Sequence, residues 1–348
     1  MTSETHLAAV GTYSSADSAG VYTVAVDSET GSIEPLDSAI AGPDPTFVAP
    51  HPNGEYLYAA VREDEEGIIK VFDIDLETGE LIEINAAPSG SFSPCHCSVD
   101  TTGRFLFVAH YFGGAVSMLP IDDDGTIESP TAVVDHHGSS VHDERQNAPH
   151  PHSITPGPDD RFVYVPDLGT DRIVTYEIDR DEQTFERCAE TDVGPRSGPR
   201  HIAFSPGGDQ LYVINELDST VTRFDRRSDG TLVDQETIST LPNEFHGQNK
   251  TAEIAVHPSG RYVFGSNRGQ DAIVTFAVDD GSLERVATSS SGGEWPRHFA
   301  VDPNGDFLFA ANRHSDDVTA FRINNETGSL VPTGERVSIS EPVCIQWL

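Results

Sequence analysis

The stretch Gly198-Pro-Arg200-His201-Ile-Ala-Phe204-Ser-Pro-Gly-Gly208-Asp-Gln-Leu-Tyr212-Val-Ile-Asn215-Glu216 holds two strand signals on either side of a turn. Ile202 and Phe204 alternate with small or polar residues, and Leu211 to Ile214 is an apolar run. Pro-Gly-Gly-Asp between them is turn chemistry. In an antiparallel hairpin, residues equally far from the turn face each other. Arg200 and Glu216 lie equally far from Gly208, so they are expected to meet at the open end. A cation and an acid brought together there make a site more readily than a core.

The same unit recurs along the chain. Pro52-Asn-Gly54-Glu-Tyr-Leu-Tyr58 is followed by Thr102-Gly103-Arg-Phe-Leu-Phe107, Pro158-Asp-Asp-Arg-Phe-Val-Tyr164, Pro258-Ser-Gly-Arg-Tyr-Val-Phe264 and Pro303-Asn-Gly-Asp-Phe-Leu-Phe309. With Tyr212, the closing aromatics fall 45 to 57 residues apart. Such a period, with about four strands per unit and no helical periodicity, is the signature of an all-β propeller. Six units are complete. Pro342-Val-Cys-Ile-Gln-Trp347 supplies one lone strand, while His6 to Tyr13, Gly20 to Asp27 and Gly31 to Leu36 supply three. A seventh blade shared by the two ends would close the ring and remove its open edges. The expectation is a seven-bladed propeller of four-stranded antiparallel blades, one domain over 1–348; an open stack of sheets is the alternative. The longest spacing contains a polar insertion around Asp135 to His150, expected to lie as a loop over one face of the disc.

Charge narrows the partners. The 348 residues carry 57 acidic and 21 basic side chains, a net charge of −36, and Lys70 and Lys250 are the two lysines. Such a surface repels phosphate backbones and anionic lipid, so neither nucleic acid nor a membrane is expected as partner. Acid spread along the chain with few lysines is the pattern of proteins that work in concentrated salt, where the Debye length shrinks to a few ångström. A halophilic, haloarchaeal source is expected. The opening Met1 to Thr5 is polar and no apolar run reaches a membrane span, so a cytoplasmic protein without a secretion signal is expected. Cys95, Cys97, Cys188 and Cys344 have neither zinc nor disulfide-framework spacing and read as free thiols. Monomer and dimer are both compatible with the sequence.

The hairpin geometry, applied to every unit, places His152 near Asp167, Arg200 near Glu216, Glu253 near Arg268, and Arg297 near Asn312 and Arg313. All fall where an inner strand begins and its neighbour ends, at one end of the channel. The corresponding positions (Val61-Arg62, His110-Tyr111, Asp167-Leu168, Asn215-Glu216, Asn267-Arg268, Asn312-Arg313) differ from blade to blade. Arg–acid pairs at strand ends can simply neutralise one another. Several on one rim, with a histidine among them, point instead to an anionic ligand and a base. The group His136, His137, His142, His150 and His152 matches no common zinc spacing, and a catalytic His152 is preferred to a metal site. No phosphate loop is present, and no Ser or Cys nucleophile has a strand-turn-helix setting.

These residues resemble the seven-bladed propeller lactonase family, which includes the 6-phosphogluconolactonases of that fold and the carboxymuconate-cyclising enzymes. The most specific stretches are His150-Pro-His152-Ser with Asp167-Leu-Gly-Thr-Asp171, Gly198-Pro-Arg200-His201, Asn215-Glu216-Leu, Ala252-Glu253-Ile, Ser266-Asn-Arg268-Gly and Trp295-Pro-Arg297. The resemblance implies an active site of His152, Arg200, Glu216 and Arg268, opening 6-phosphogluconolactone or a related sugar lactone. His152 would be general base, held by Asp167. Arg200 and Arg268 would stabilise the oxyanion, and Glu216 would orient Arg200 or relay a proton. Arg297 is the candidate phosphate ligand, and His96, Asp167, Glu253 and Asn267 complete the expected substrate-binding set. No metal or other cofactor is expected. The alternatives are a muconate-type cyclase and a non-enzymatic propeller scaffold.

Overall fold

The repeated turn closes on glycine. In the quoted hairpin the Gly208 N–H donates to the Ser205 carbonyl at 2.8 Å and the Ser205 N–H to the Gln210 carbonyl at 3.0 Å. Gly208 has a φ of 72°, and Gly54, Gly103, Gly260 and Gly305 lie between 70° and 78° at the same place in their units. Without a Cβ, glycine takes this conformation at no steric cost. In the remaining unit Asp160 stands there with a φ of 50°, a region that Asp tolerates better than most residues. The six closing aromatics, Tyr58, Phe107, Tyr164, Tyr212, Phe264 and Phe309, are each at most 2% exposed. Burying each contributes roughly 1.5–3 kcal/mol, so the sequence repeat and the core share one cause.

The computed structural model describes residues 5–13, 18–63, 66–279 and 281–348; Met1 to Glu4 of the polar opening lie outside them. The chain forms seven four-stranded antiparallel sheets and, among the described residues, no helix. The inner strands of adjacent sheets pack against one another around the channel. Ring closure is as expected. Pro342–Trp347 is the inner strand of the sheet that continues through Thr5–Thr12, Gly20–Asp27 and Ile33–Ile40. It pairs with Thr5–Thr12 from Ala8↔Trp347 to Thr12↔Pro342.

One irregularity recurs and positions the site. In six of the seven sheets the pairing of the inner strand slips near its start, for example between Pro94 and His96, Pro199 and His201, and Pro296 and His298. Proline starts five of these strands, where its missing N–H costs no ladder bond. The extra residue bends the strand and re-aims the side chains around it. Cys95 and Arg297 then line the cavity at one mouth, while His96, His201 and His298 line the cavity at the other. In the remaining sheet, whose second strand is Phe162–Asp167, Pro151 bridges Asp167 and the His152 N–H donates to the Pro166 carbonyl at 3.0 Å; His152 joins the first cavity and Ser153 the second.

Closure of the ring by the terminal strand has a measurable weight. Ile345 is 3% exposed in the cluster that joins the two chain ends. Ile345→Ala is expected to cost about 2–4 kcal/mol in denaturant unfolding, whereas deletion of residues 342–348 is expected to abolish the cooperative transition altogether.

Candidate active site

Two of the arginines expected on the rim, Arg200 and Arg268, converge with Arg145 on one carboxylate. Glu216 follows its strand directly and is 3% exposed. Its Oε1 accepts from Arg145 Nη2 at 2.7 Å, and its Oε2 accepts from Arg268 Nη2 at 2.9 Å with Arg200 Nε 3.4 Å away. The Arg200–Glu216 approach expected from the hairpin therefore occurs. The register itself pairs Pro199 with Asn215, and the bulge at Arg200 takes up the difference. Burial opposes ionisation of Glu216, but Arg268, Arg145 and Arg200 outweigh it and hold the carboxyl below its ordinary range. Burial, with Arg268 and Arg297 nearby, pushes Arg200 down to about 9, so it stays charged at neutral pH.

Above this knot lies a cavity of about 390 Å³, whose walls include His152, Arg268, Arg297, Arg62 and Lys250. Arg268 lies over the Trp295 ring at 5.5 Å, and Arg297 over the Tyr13 ring at 5.2 Å. Among the described residues, Arg62, Lys250 and Arg297 have no carboxylate within ion-pair distance. Three unpaired cations around one cavity, in a chain of net charge −36, form a site for an anion. His152 is the base within reach. Burial first, then Arg200, His201 and Arg297, lower its pKa well below the ordinary value, so the ring is neutral and able to accept a proton at neutral pH.

The remaining sequence candidates separate by strand alternation. Side chains on a strand alternate in direction. In four of the six rim pairs the second residue lines the cavity, as Arg62, Tyr111, Glu216 and Arg268 do, and the first does not. Asp167 and Asn267 are first residues and stand off the cavity. Asp167 is fully buried; it accepts from His136 Nδ1 at 2.7 Å and from the N–H groups of His150, Gly169 and Thr170. It orders the loop and makes no contact with the His152 ring, contrary to the expected Asp167–His152 pair. Asn267 accepts from Thr240 Oγ1 and Asn249 Nδ2, pinning a turn. The inner-strand bulge likewise sends His96 and Glu253 to the opposite mouth. Instead of meeting Arg268, Glu253 lies 2.8 Å from His201 Nδ1 and 3.1 Å from His298 Nε2. Arg313, expected beside Arg297, pairs with Glu341 and shares the Tyr13 ring with it.

The insertion supplies what the hairpin arithmetic missed. It lies at the site mouth, anchored by Ser140 and Gln146 on Asp171 and by His136 between Asp167 and Tyr176. This anchoring delivers Arg145 to Glu216 and to the Tyr111 hydroxyl, 3.0 Å away. An arginine inside an acidic, turn-rich insertion was the available signal. The histidines there are dispersed: His150 Nδ1 lies 2.8 Å from the Tyr111 carbonyl and its ring stacks on Tyr111. Among the described residues no His, Cys, Asp or Glu group has metal-binding geometry.

A base and an arginine cluster in the mouth of a seven-bladed propeller define a class, and comparison with known proteins agrees with it. The family model described as "Lactonase, 7-bladed beta-propeller" matches residues 7–347. The 6-phosphogluconolactonase of Bacillus subtilis is 34% identical over 343 residues, 97% of each chain. A putative 6-phosphogluconolactonase from Bacteroides uniformis superposes with a TM-score of 0.92 at 33% identity, covering 99% of both chains. The periplasmic gluconolactonase of Pseudomonas aeruginosa does so with a TM-score of 0.92 at 30% identity, again over 99% of both. This chain belongs to the seven-bladed propeller lactonase family.

The knot at Glu216 sets an acid limit on stability. A carboxyl whose folded value lies below its ordinary 4.5 binds fewer protons folded than unfolded, so it adds stability above that pH and loses it as pH falls. Glu216→Gln leaves two buried guanidiniums, Arg200 and Arg268, and the half-buried Arg145 without their counter-charge and is expected to cost about 3–5 kcal/mol at pH 7. Between pH 6 and pH 3.5, urea unfolding should show wild type losing more stability than the variant.

Proposed function

We propose that the chain hydrolyses a sugar lactone bearing an anionic group, with 6-phosphogluconolactone the substrate that fits best. The observation that carries this reading is a neutral His152 sharing one cavity with Arg268 and with three unpaired cations, Arg62, Lys250 and Arg297. The names of the Bacillus and Bacteroides relatives give it further support. In this mechanism His152 takes a proton from a water that attacks the lactone carbonyl. The negative charge that develops on the carbonyl oxygen is met by Arg268, with Arg200 behind it. Collapse breaks the ring C–O bond, and the proton returns from His152 to the leaving alkoxide. Arg297, with Arg62 and Lys250, binds the phosphate. Glu216, both oxygens occupied, aligns Arg145, Arg200 and Arg268 and relays no proton.

The reading extends to the setting. Free buried thiols at Cys95, Cys97 and Cys344 suit the cytoplasm, and the acidic surface suits molar salt. If so, the melting temperature rises with potassium chloride from 0.1 M toward molar concentrations, as measured by circular dichroism.

The deciding assay offers purified protein, in molar salt, phosphorylated and unphosphorylated gluconolactone and a muconolactone, with spontaneous hydrolysis subtracted. Preferential turnover of the phosphorylated lactone is expected. His152→Ala should lower kcat by about 10²–10⁴-fold with an unchanged melting temperature. Arg297→Ala should raise KM for the phosphorylated lactone more than for the unphosphorylated one. Turnover of none of the three lactones would leave the scaffold reading in its place.

A further inference from the structure

Two buried imidazole nitrogens on neighbouring rings have no hydrogen-bond partner: Nδ1 of His152 and Nε2 of His201. The ring centroids are 5.4 Å apart, the planes at 66°, and the residues are 6% and 4% exposed. His152 lines the site cavity, but its Nδ1 is sealed, which leaves Nε2 as the nitrogen that can meet a substrate water. His201 opens on the other cavity, so the pair stands where the two halves of the channel meet.

The protons below this junction are fixed one by one. His201 Nδ1 lies 2.8 Å from Glu253 Oε2, and a carboxylate only accepts, so Nδ1 carries the proton and Nε2 presents a bare lone pair. Glu253 is itself immobilised. Its Oε1 accepts from the Ile254 N–H at 3.1 Å, and its Oε2 lies 3.1 Å from His298 Nε2. His298 Nδ1 in turn accepts from the Ile345 N–H at 3.2 Å, so its Nε2 is the protonated nitrogen. The chain therefore ends in an acceptor beside a base that needs one for its Nδ1–H.

We propose that Glu253, acting through His201, positions the general base: His201 Nε2 accepts the His152 Nδ1–H when substrate is bound, holding the tautomer whose Nε2 faces the cavity. Built on the lactonase reading above, the arrangement gives His152 the third group that orients a base, the role that the sequence assigned to Asp167. No proton passes down the chain. The proton taken from water forms the His152 Nε2–H bond and leaves to the ring-opened alkoxide, while His201 and Glu253 keep their protonation states. Glu253 offsets part of the charge on protonated His152. The other charged or titratable groups facing His152 are Arg200, Arg297 and His201, with Tyr111 and Cys95 against it. Those facing Glu253 are His201, His298, Arg200 and Arg297.

The test combines kinetics with ¹⁵N NMR of the histidine side chains. In the wild type, His201 is expected as the Nδ1–H tautomer; an Nε2–H tautomer overturns the proposal without any variant. Glu253→Gln should lower kcat about 10–100-fold, leave KM within about two-fold because Glu253 faces the far cavity, and move the acid limb of the kcat profile to lower pH. The His152 titration should move the same way, since loss of the carboxylate makes the imidazolium harder to form. His201→Leu, which removes the acceptor and the link to Glu253, should reproduce the kcat loss if Glu253→Gln folds poorly. Wild-type kcat, pH profile and His152 titration in both variants would overturn the proposal. If the wild type opens no lactone while the His152 titration still follows Glu253, the positioning pair stands and the lactonase reading falls.

Discussion

Seven wedge-shaped sheets can share an axis only if their inner strands bend away from one another, and in six of them the bend comes with an extra residue near the strand's start. That residue decides which side chains share a mouth. Along Pro199-Arg200-His201 and Pro296-Arg297-His298 the arginine turns toward one end of the channel and the histidine toward the other. A device that lets the backbone converge thus separates a cationic chamber from an imidazole chamber. The site follows from the geometry of the ring as much as from the identity of any one blade.

Electrostatics then works against solvation. Arg200, Arg268 and Glu216 are each no more than 4% exposed, and desolvation alone would favour the neutral form of every one. They stay charged because they share a single knot, in which each buried charge has a partner within hydrogen-bond or near hydrogen-bond distance. Burial, reinforced by the same positive field, keeps His152 unprotonated. One arrangement therefore supplies both halves of an ester-opening site: anion stabilisation and a free base. The surplus lies further out, on Arg62, Lys250 and Arg297, which line the cavity and form no ion pair with a carboxylate among the described residues.

The repeat of turn glycine and closing aromatic made the propeller legible, because one physical demand, a tight turn feeding a buried strand, recurs in every blade. Ring closure was legible from leftover strands at the two ends. Arg200 with Glu216, and His152, Arg268 and Arg297 near them, followed from hairpin symmetry. Asp167, Asn267 and Glu253 were misplaced for one reason. Proximity at a strand end was read without the alternation of side chains, and the bulge that shifts it leaves no simple residue signature. Arg145 was out of reach because its position depends on where a loop is tied, through Gln146 and Ser140 to Asp171.

The most direct test of this account is a crystal structure with 6-phosphogluconate, the product, bound. The account predicts its phosphate among Arg297, Arg62 and Lys250, and its carboxylate beside Arg268 within about 2.6–3.2 Å of His152 Nε2. Product seated instead in the chamber of His96, His201 and His298, or held away from His152, would contradict it.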